Sequence, residues 1–287
     1  MIRRVLIAGV GGVLGRELLG AFFRRGIPVD GLAVSEKEFS GIEEKLACRR
    51  AADVTLSATL KGVCDGVDVV VSVIGITHIK GRFTHMAVDY QGNMNLLAEA
   101  KASGVKKFVF ISPAGTDIGA KQGVPLMEAK YKFEEALKVS GLEWVIVRAG
   151  GFMKDFAEMA KMARTGPMYI IGDGEVVSTP VDVAELAEFM AEDALTRSNA
   201  YTSIGGPQDM TWNEICEDCF SVWGKEPRIV SMPVSLCDLA LACLKPFSSA
   251  YYGMGKLLVF FSVTSVPTDK RGKVTLKDYL ARYYAQS

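Results

Sequence analysis

The stretch Val5-Leu-Ile-Ala-Gly-Val-Gly-Gly-Val-Leu-Gly15, close to the first residue, is the strongest indication of the fold. Its first four residues form an apolar run of strand length. Glycines follow at Gly9, Gly12 and Gly15, and apolar residues then recur at helical spacing from residue 14 to residue 23. A strand, a glycine turn and a helix start in this order hold a dinucleotide pyrophosphate in many α/β proteins, so the stretch predicts a cofactor site.

Each glycine of this turn has a predicted task. Gly9 would allow the tight turn, Gly12 would let the backbone approach phosphate, and Gly15 would let the helix pack close to the strand. The free N–H groups and the positive end of the helix would then hold the anion. A glycine-rich turn that only packs is the alternative.

The spacing of the glycines is Gly-x-x-Gly-x-x-Gly, because Leu14 stands where Gly-x-Gly-x-x-Gly requires a third glycine. This spacing resembles the extended and atypical short-chain dehydrogenases/reductases more than the two-domain dehydrogenases.

Length, charge and cysteine content narrow the class of protein. The 287 residues suffice for one large α/β domain with an appended lobe, and the formal net charge of zero gives no electrostatic footprint for nucleic acid. The first apolar stretch is the glycine-turn strand, so we expect no signal peptide and a cytoplasmic protein. Six cysteines indicate free thiols in a reducing compartment. For the C-x-x-C of Cys216 and Cys219, helix packing is favoured over redox or metal chemistry.

Strands and helices alternate along the first half of the chain. Continuous apolar strands spaced by helices predict a doubly wound parallel α/β sheet that is buried on both faces. We expect residues 1–150 to form the dinucleotide-binding core and residues 151–287 to form a mostly helical substrate lobe built on excursions from it. The predicted strands of the core are 4–8, 28–34, 47–53, 67–74, 107–112 and 144–148, and its predicted helices are 16–25, 55–64, 86–103 and 125–140.

Two apolar helices are predicted in the last third of the chain, at 234–244 and 251–263. Lys245, Pro246 and Lys256 interrupt this stretch, and neither half reaches the roughly 20 residues that a membrane span requires. We expect a buried or pocket-lining pair of helices, with contact to a membrane surface as the less favoured alternative.

Motifs in order along most of the chain resemble the NmrA-like branch of the atypical short-chain dehydrogenases/reductases. That resemblance implies a Rossmann-like fold with a small C-terminal substrate lobe and NAD(P) bound at the carboxyl ends of the strands. Beside the glycine turn, the motifs are Asp53-Val54, Ser72-Val-Ile-Gly75, Ile111-Ser-Pro113, Ala129-Lys-Tyr-Lys-Phe-Glu134, Val147-Arg-Ala-Gly-Gly-Phe152, Gly172-Asp-Gly174, Pro180-Val-Asp182 and Ile204-Gly-Gly-Pro207.

The resemblance also implies cofactor contacts outside the glycine turn. The adenine would lie along residues 53–54, the dinucleotide would run past residues 73–75, and its nicotinamide end would reach residues 150–152. Asp53 has a second interpretation, as the N-cap of the next helix. The predicted cofactor-binding residues are Gly9, Val10, Gly11, Gly12, Val13, Leu14, Gly15, Ser35, Lys37, Asp53, Val54, Val73, Ile74, Gly75, Lys130, Gly150, Gly151 and Phe152.

The Tyr-x-x-x-Lys pair of the superfamily is incomplete here. Its lysine corresponds to Lys130, but four residues earlier stands Leu126, which cannot transfer a proton. Tyr131 is adjacent but about 100° round the helix, so it should point elsewhere. The predicted catalytic residues are therefore Lys130, as proton source or ribose ligand, and Ser112, as donor to a substrate oxygen. A solvated lysine and a strand-ending serine are the alternatives.

The tip of the second strand bears on the choice of cofactor. Ser35 and Lys37 would bind a 2′-phosphate and Glu36 would bind a free 2′-hydroxyl, so the tip favours NADP, with NAD as the alternative.

The two histidines, His78 and His85, are expected on a surface loop, with a proton donor as the second interpretation. No metal site is expected.

These features predict an NAD(P)H-dependent oxidoreductase that reduces an apolar small molecule without the usual tyrosine. A non-enzymatic dinucleotide sensor and an assembly factor are the alternatives. A narrower similarity, to the 8-vinyl reductases of chlorophyllide biosynthesis, rests on Ala129–Glu134, on Lys225-Glu-Pro227 before the Pro233-led apolar helix, and on Thr275-Leu-Lys-Asp-Tyr-Leu280.

Overall fold

The computed structural model describes residues 2–76, 79 and 81–285. The chain has two compact units. Unit 1 consists of Met1–Ser112, Thr116–Arg148 and Ala187–Thr202. Unit 2 consists of Pro113–Gly115, Ala149–Leu186 and Ser203–Ser287.

Eleven strands occur in the described residues, and seven of them form the main sheet. They are β1 (Val5–Ala8), β2 (Val29–Ala33), β3 (Cys48–Ala51), β4 (Val69–Ser72), β5 (Lys107–Pro113), β6 (Glu143–Ala149), β7 (Met168–Ile171), β8 (Val177–Ser178), β9 (Ala200–Ile204), β10 (Met210–Thr211) and β11 (Ile229–Met232).

The main sheet has the order β3-β2-β1-β4-β5-β6-β9. The pairs β1–β2, β2–β3, β1–β4 and β4–β5 are parallel. The order reverses between β1 and β4, and ligands of doubly wound sheets bind at the carboxyl ends of the strands at such a point. The predicted fold class, a Rossmann-like doubly wound α/β sheet, is confirmed.

Ten α-helices occur in the same described part of the chain. They are α1 (Val13–Arg24), α2 (Asn93–Ala102), α3 (Thr116–Lys121), α4 (Pro125–Lys138), α5 (Met153–Ala163), α6 (Val183–Thr196), α7 (Trp212–Ser221), α8 (Val234–Leu244), α9 (Ser249–Val263) and α10 (Leu276–Ala285).

The core of unit 1 explains why these segments form a parallel sheet. Every residue of β1, β2 and β4 is buried, as expected of strands covered on both faces. Leu96 of α2 and Phe133 of α4 join Phe108 and Phe110 of β5 in one apolar cluster. The Phe110 and Phe133 rings meet edge to face at 4.6 Å between centroids.

Three helix predictions for unit 1 need correction. The helix expected at 55–64 is only a short 3₁₀ turn, Ser57–Leu60, because the Asp53 carboxylate accepts the Thr55 N–H and Gly62 takes a positive φ of 79°. The helix expected from Met86 begins as a π-helix over Met86–Gly92 before α2. Helix α3 was not predicted, and its six residues are too few for a periodic signal.

Unit 2 has its own core, built by α5, α7 and α10 around residues such as Phe156, Ile215 and Leu280. Helix α7 begins with a capping box, since Thr211 and Glu214 bond each other's backbone N–H. Strands β7 and β11 pair in parallel, and β8 and β10 pair antiparallel.

The two apolar helices of unit 2 differ in burial. Helix α9 buries Gly253, Val259 and Phe260. In α8 only Leu241 is buried. Burial, one of the two forms in which the pair was expected, is therefore wrong for α8, while the pocket-lining form stays a prediction.

Candidate functional site

The glycine turn between β1 and α1 has the geometry that its spacing predicts. Gly9 has a positive φ of 90°, which favours glycine. A Cβ at Gly15 would overlap the Gly9 carbonyl oxygen, so only glycine lets α1 pack this close to the turn. At Gly12, by contrast, an added Cβ would meet nothing closer than the Gly9 oxygen at 3.4 Å. The protein's own packing therefore leaves room at Gly12.

The start of α1 is suited to an anion. Its N-cap residue, Gly12, makes no side-chain capping bond, and the first turn carries no acidic residue. Gly12 and Val13 are exposed, whereas the side chains of Val10 and Leu14 are buried. Backbone N–H groups with the positive helix end are thus the donors available there, and they fit a pyrophosphate.

The tip of β2 carries one acidic residue, Glu36, and two basic residues lie at or beside it, Lys37 and Arg49. Ser35 and Lys37 are exposed, as a phosphate ligand requires. Glu36 faces Arg49 of β3, with 3.7 Å between Oε2 and Nη1. Arg49 was missed from the sequence, although its place on the neighbouring predicted strand was a signal. It adds a second cation beside the position expected for a 2′-phosphate.

Asp53 is not the N-cap that its second interpretation required, because the 3₁₀ turn Ser57–Leu60 has Leu56 at its N-cap position; the Asp53 carboxylate instead closes a local turn and an ion pair. Its Oδ1 accepts the Thr55 N–H at 2.9 Å, and its Oδ2 pairs with Arg82 Nη2 at 2.7 Å. Val54 is partly buried against the core, and its carbonyl oxygen accepts a bond from Asn95. The adenine role of residues 53–54 stays a prediction.

Lys130 is not a solvated lysine. Its side chain is 9% exposed, and its Nζ lies 3.2 Å from Oδ1 of Asp89, which is fully buried. The Nζ also lies 3.4 Å from the Ile111 carbonyl oxygen and 4.8 Å from the centre of the Phe110 ring. A buried lysine with a buried carboxylate partner is costly to maintain unless the pair is well placed.

His85 completes this cluster. Its Nδ1 lies 3.3 Å from Asp89 Oδ2, and its side chain is buried, so the surface-loop expectation is wrong for His85. His78 lies outside the described residues. We call His85, Asp89 and Lys130 the lysine cluster.

The lysine cluster lies against the segment that follows β4. A Cβ at Gly75 would be 2.7 Å from Asp89 Oδ1 and 3.2 Å from Lys130 Nζ. Val73 in turn contacts the space beside Gly9. Thus Val73 and Gly75 of the predicted dinucleotide path lie next to the glycine turn and the lysine cluster, respectively.

The π-helix before α2 positions Asp89. Asn93 Nδ2 donates to the Asp89 carbonyl oxygen at 2.9 Å, and Ser72 Oγ at the end of β4 bonds Asn93 Oδ1 at 2.5 Å. π-Helical turns occur often at functional sites. The cluster was missed because a regular helix was assumed, yet the recurrence of His85, Asp89 and Asn93 every four residues was a readable signal.

The other predicted residues have partners of their own. Ser112 is buried and its Oγ bonds Thr116 Oγ1 at 3.0 Å. Gly150, Gly151 and Phe152 belong to unit 2, where Gly151 and Phe152 align with Val181. Their cofactor roles stay predictions.

Neither thiol chemistry nor a metal finds support in the described part of the chain. Burial raises the pKa of the Cys216 thiol to about 11 and that of Cys219 to about 12, so both stay protonated at neutral pH. No group of three or more His, Cys, Asp or Glu residues among those described could hold a metal ion. Among the same residues, no helix has the length and apolar character needed to cross a membrane.

A parallel sheet with this strand order and an open glycine turn at a helix start defines a dinucleotide-binding α/β protein. Comparison with known families agrees with this class. The family model described as NAD(P)H-binding matches residues 9–196, and the chain belongs to this family.

Relatives and solved structures include reductases and an assembly factor. The divinyl chlorophyllide a 8-vinyl-reductase of Arabidopsis thaliana is 28% identical over 97% of this chain and 76% of its own. The photosystem II assembly factor Ycf39 of Synechocystis is 24% identical over 99% of this chain and 91% of its own. An NADPH-dependent quinone oxidoreductase of Escherichia coli has the same fold, with a TM-score of 0.77, 16% identity and coverage of 98% of this chain and 99% of its own.

Proposed function

We propose that this protein is an NADPH-dependent reductase that acts on an apolar small molecule without the tyrosine of Tyr-x-x-x-Lys. The observation that carries the proposal is the buried Lys130–Asp89 pair beside Gly75. A reductase needs a placed proton donor, and a buried ammonium beside the predicted dinucleotide path supplies one. Leu126, in the position of the tyrosine, supplies no proton.

In this proposal NADPH would supply the hydride. The chain's own residues bind and orient the cofactor and give a proton to the substrate. Backbone N–H groups after Gly12 hold the pyrophosphate, while Lys37 and Arg49 attract the 2′-phosphate. The Lys130 ammonium gives a proton to the substrate atom that gains negative charge, and solvent restores it. Asp89 keeps that ammonium in place, and His85 keeps Asp89 in place.

Turnover of NADPH with apolar acceptors tests the proposal. We expect loss of NADPH absorbance with quinones or with divinyl chlorophyllide a, the substrate named for the Arabidopsis relative. Lys130→Met should lower kcat by roughly 10²–10⁴, the usual contribution of a positioned acid. Tyr131→Phe is the matched control on the same helix and should change kcat little. Equal turnover by wild type and Lys130→Met would refute the role of Lys130.

A second candidate is a dinucleotide-binding assembly factor or sensor without chemistry. Two observations favour it: Leu126 in place of the tyrosine, and the similarity to Ycf39. Tight NADPH binding with no turnover of any apolar acceptor would support this candidate over the reductase.

A further inference from the structure

Helix α8 presents its apolar side to solvent. Leu236 is 57% exposed, Leu239 63% and Phe247, in the turn after the helix, 87%. Leu236, Leu239 and Cys243 recur at the spacing of one helix face, which in an ordinary surface helix would be buried. Here that face is exposed instead. We call the surface formed by Leu236, Leu239, Cys243, Phe247 and Tyr251 the α8 face.

The α8 face is held by a buried anchor. Leu241, on the inner side of α8, occupies space that a Cβ at Gly255 of α9 would overlap. Phe260 of α9 is buried at 2% exposure, and the Phe261 carbonyl oxygen accepts a bond from Trp212 Nε1 at 2.9 Å. The outward apolar residues thus belong to a packed pair of helices and not to a loose segment.

The charges around the α8 face indicate what covers it. Residues 233–263 carry two lysines, Lys245 and Lys256, against one acid, Asp238. In the described part of the chain neither lysine forms an ion pair, and Lys245 Nζ lies 5.6 Å from the centre of the Tyr252 ring. Apolar side chains flanked by lysine and aromatic rings are typical of segments that lie in a membrane interface.

We propose that the α8 face docks on the surface of an anionic lipid bilayer. At 11 and 15 residues, α8 and α9 fall short of the ~20 residues of a span, so the contact is superficial. Leu236, Leu239 and Phe247 enter the acyl boundary, and the lysines reach anionic headgroups. A second copy of the chain fits less well, since it would bring lysines against lysines. The proposal does not depend on the proposed reductase activity.

Vesicle flotation of the full chain tests this docking. The probes are vesicles of phosphatidylcholine alone and vesicles with about one third phosphatidylglycerol. We expect wild type to float with the anionic vesicles and Leu239→Glu/Phe247→Glu to lose roughly tenfold or more in partitioning for each side chain. Lys245→Gln/Lys256→Gln should lose roughly fivefold per lysine, and only with anionic vesicles.

The matched control is Val139→Glu, which adds the same charge at a valine of unit 1 that is 84% exposed. It should float like wild type. Unchanged denaturation curves in vesicle-free buffer show that the fold persists in every variant. Cys243, exposed on the α8 face, adds an independent readout, because a water-soluble maleimide should label it in buffer and much more slowly with anionic vesicles.

Three results would overturn the proposal. Wild type could remain unfloated with both vesicle types. The glutamate variant could float as well as wild type. A vesicle-free dimer that Leu239→Glu/Phe247→Glu abolishes, with no flotation, would assign the face to a second copy instead.

Discussion

Charged side chains are usually exposed and large apolar side chains are usually buried, and the lysine cluster and the α8 face depart from this in opposite directions. In the cluster an ammonium and a carboxylate are buried 3.2 Å apart, while on the α8 face leucines and Phe247 stand in solvent. Both arrangements cost free energy that an ordinary core and surface would not. Such departures are expected at functional sites, and they are the basis of the reductase proposal for unit 1 and of the docking proposal for unit 2.

The largest effect on stability should come from Asp89→Asn, which tests the lysine cluster. The substitution leaves the Lys130 charge buried without its counterion, so we expect the free energy of unfolding to fall by ~3 kcal/mol or more. Adding Lys130→Met should restore much of that loss, because the unpaired charge is then gone. Chemical denaturation of wild type, both single variants and the double variant measures the coupling.

Asp30→Asn is the control for this cycle. Asp30 is also fully buried and lies 3.0 Å from Arg4 Nε and 3.4 Å from Arg50 Nη2. The Asp30→Asn variant should have a lower free energy of unfolding, and adding Lys130→Met should not restore it. A double variant at Asp89 and Lys130 that is less stable than Asp89→Asn alone would contradict the pairing.

Gly12→Val tests whether unit 1 is built around a dinucleotide. Because an added Cβ meets no protein atom closer than 3.4 Å, the fold should survive while the pyrophosphate loses its approach. We expect NADPH affinity to fall by roughly 10- to 100-fold, as for an overpacked contact. Calorimetry of the folded variant measures this.

The matched control is Gly166→Val, in the turn after α5, where an added Cβ meets nothing within 4 Å. It should bind NADPH like wild type. Unchanged affinity of Gly12→Val for both NADPH and NADH would remove the glycine turn from the cofactor site.

Lys37→Ala should have a smaller effect, confined to the choice of cofactor. Losing a charged contact to the 2′-phosphate should weaken NADPH binding by roughly tenfold and leave NADH binding unchanged. Lys101→Ala, at a lysine of α2 that is also exposed, is the control. If wild type prefers NADH, then Glu36 and not Lys37 sets the choice.

Local patterns predicted most of unit 1. The apolar strands and the glycine turn are signals within a few residues, and both the sheet and the positive φ of Gly9 follow from them. The 3₁₀ turn at Ser57–Leu60 was missed because it depends on how Asp53 bonds Thr55.

The lysine cluster and the α8 face could be predicted only in part. Lys130 was found from its motif, but its partner Asp89 is distant in the chain and is aimed by a π-helix that periodicity does not reveal. For α8 the apolar pattern predicted the helix correctly but did not reveal that Leu236 and Leu239 are exposed. An apolar stripe says that a face avoids water, but not whether protein or another partner covers it.

The smallest expected effect on the free energy of unfolding belongs to the α8 face. Leu239→Glu should change the free energy of unfolding by no more than about 0.5 kcal/mol, because Leu239 is 63% exposed and loses little packing. Leu241→Ala, two residues on and 7% exposed, should cost ~2 kcal/mol or more, since it empties the contact with Gly255. Denaturation in vesicle-free buffer measures both. Equal losses would mean that the α8 face is covered by protein, and the contrast between the two regions would then fail.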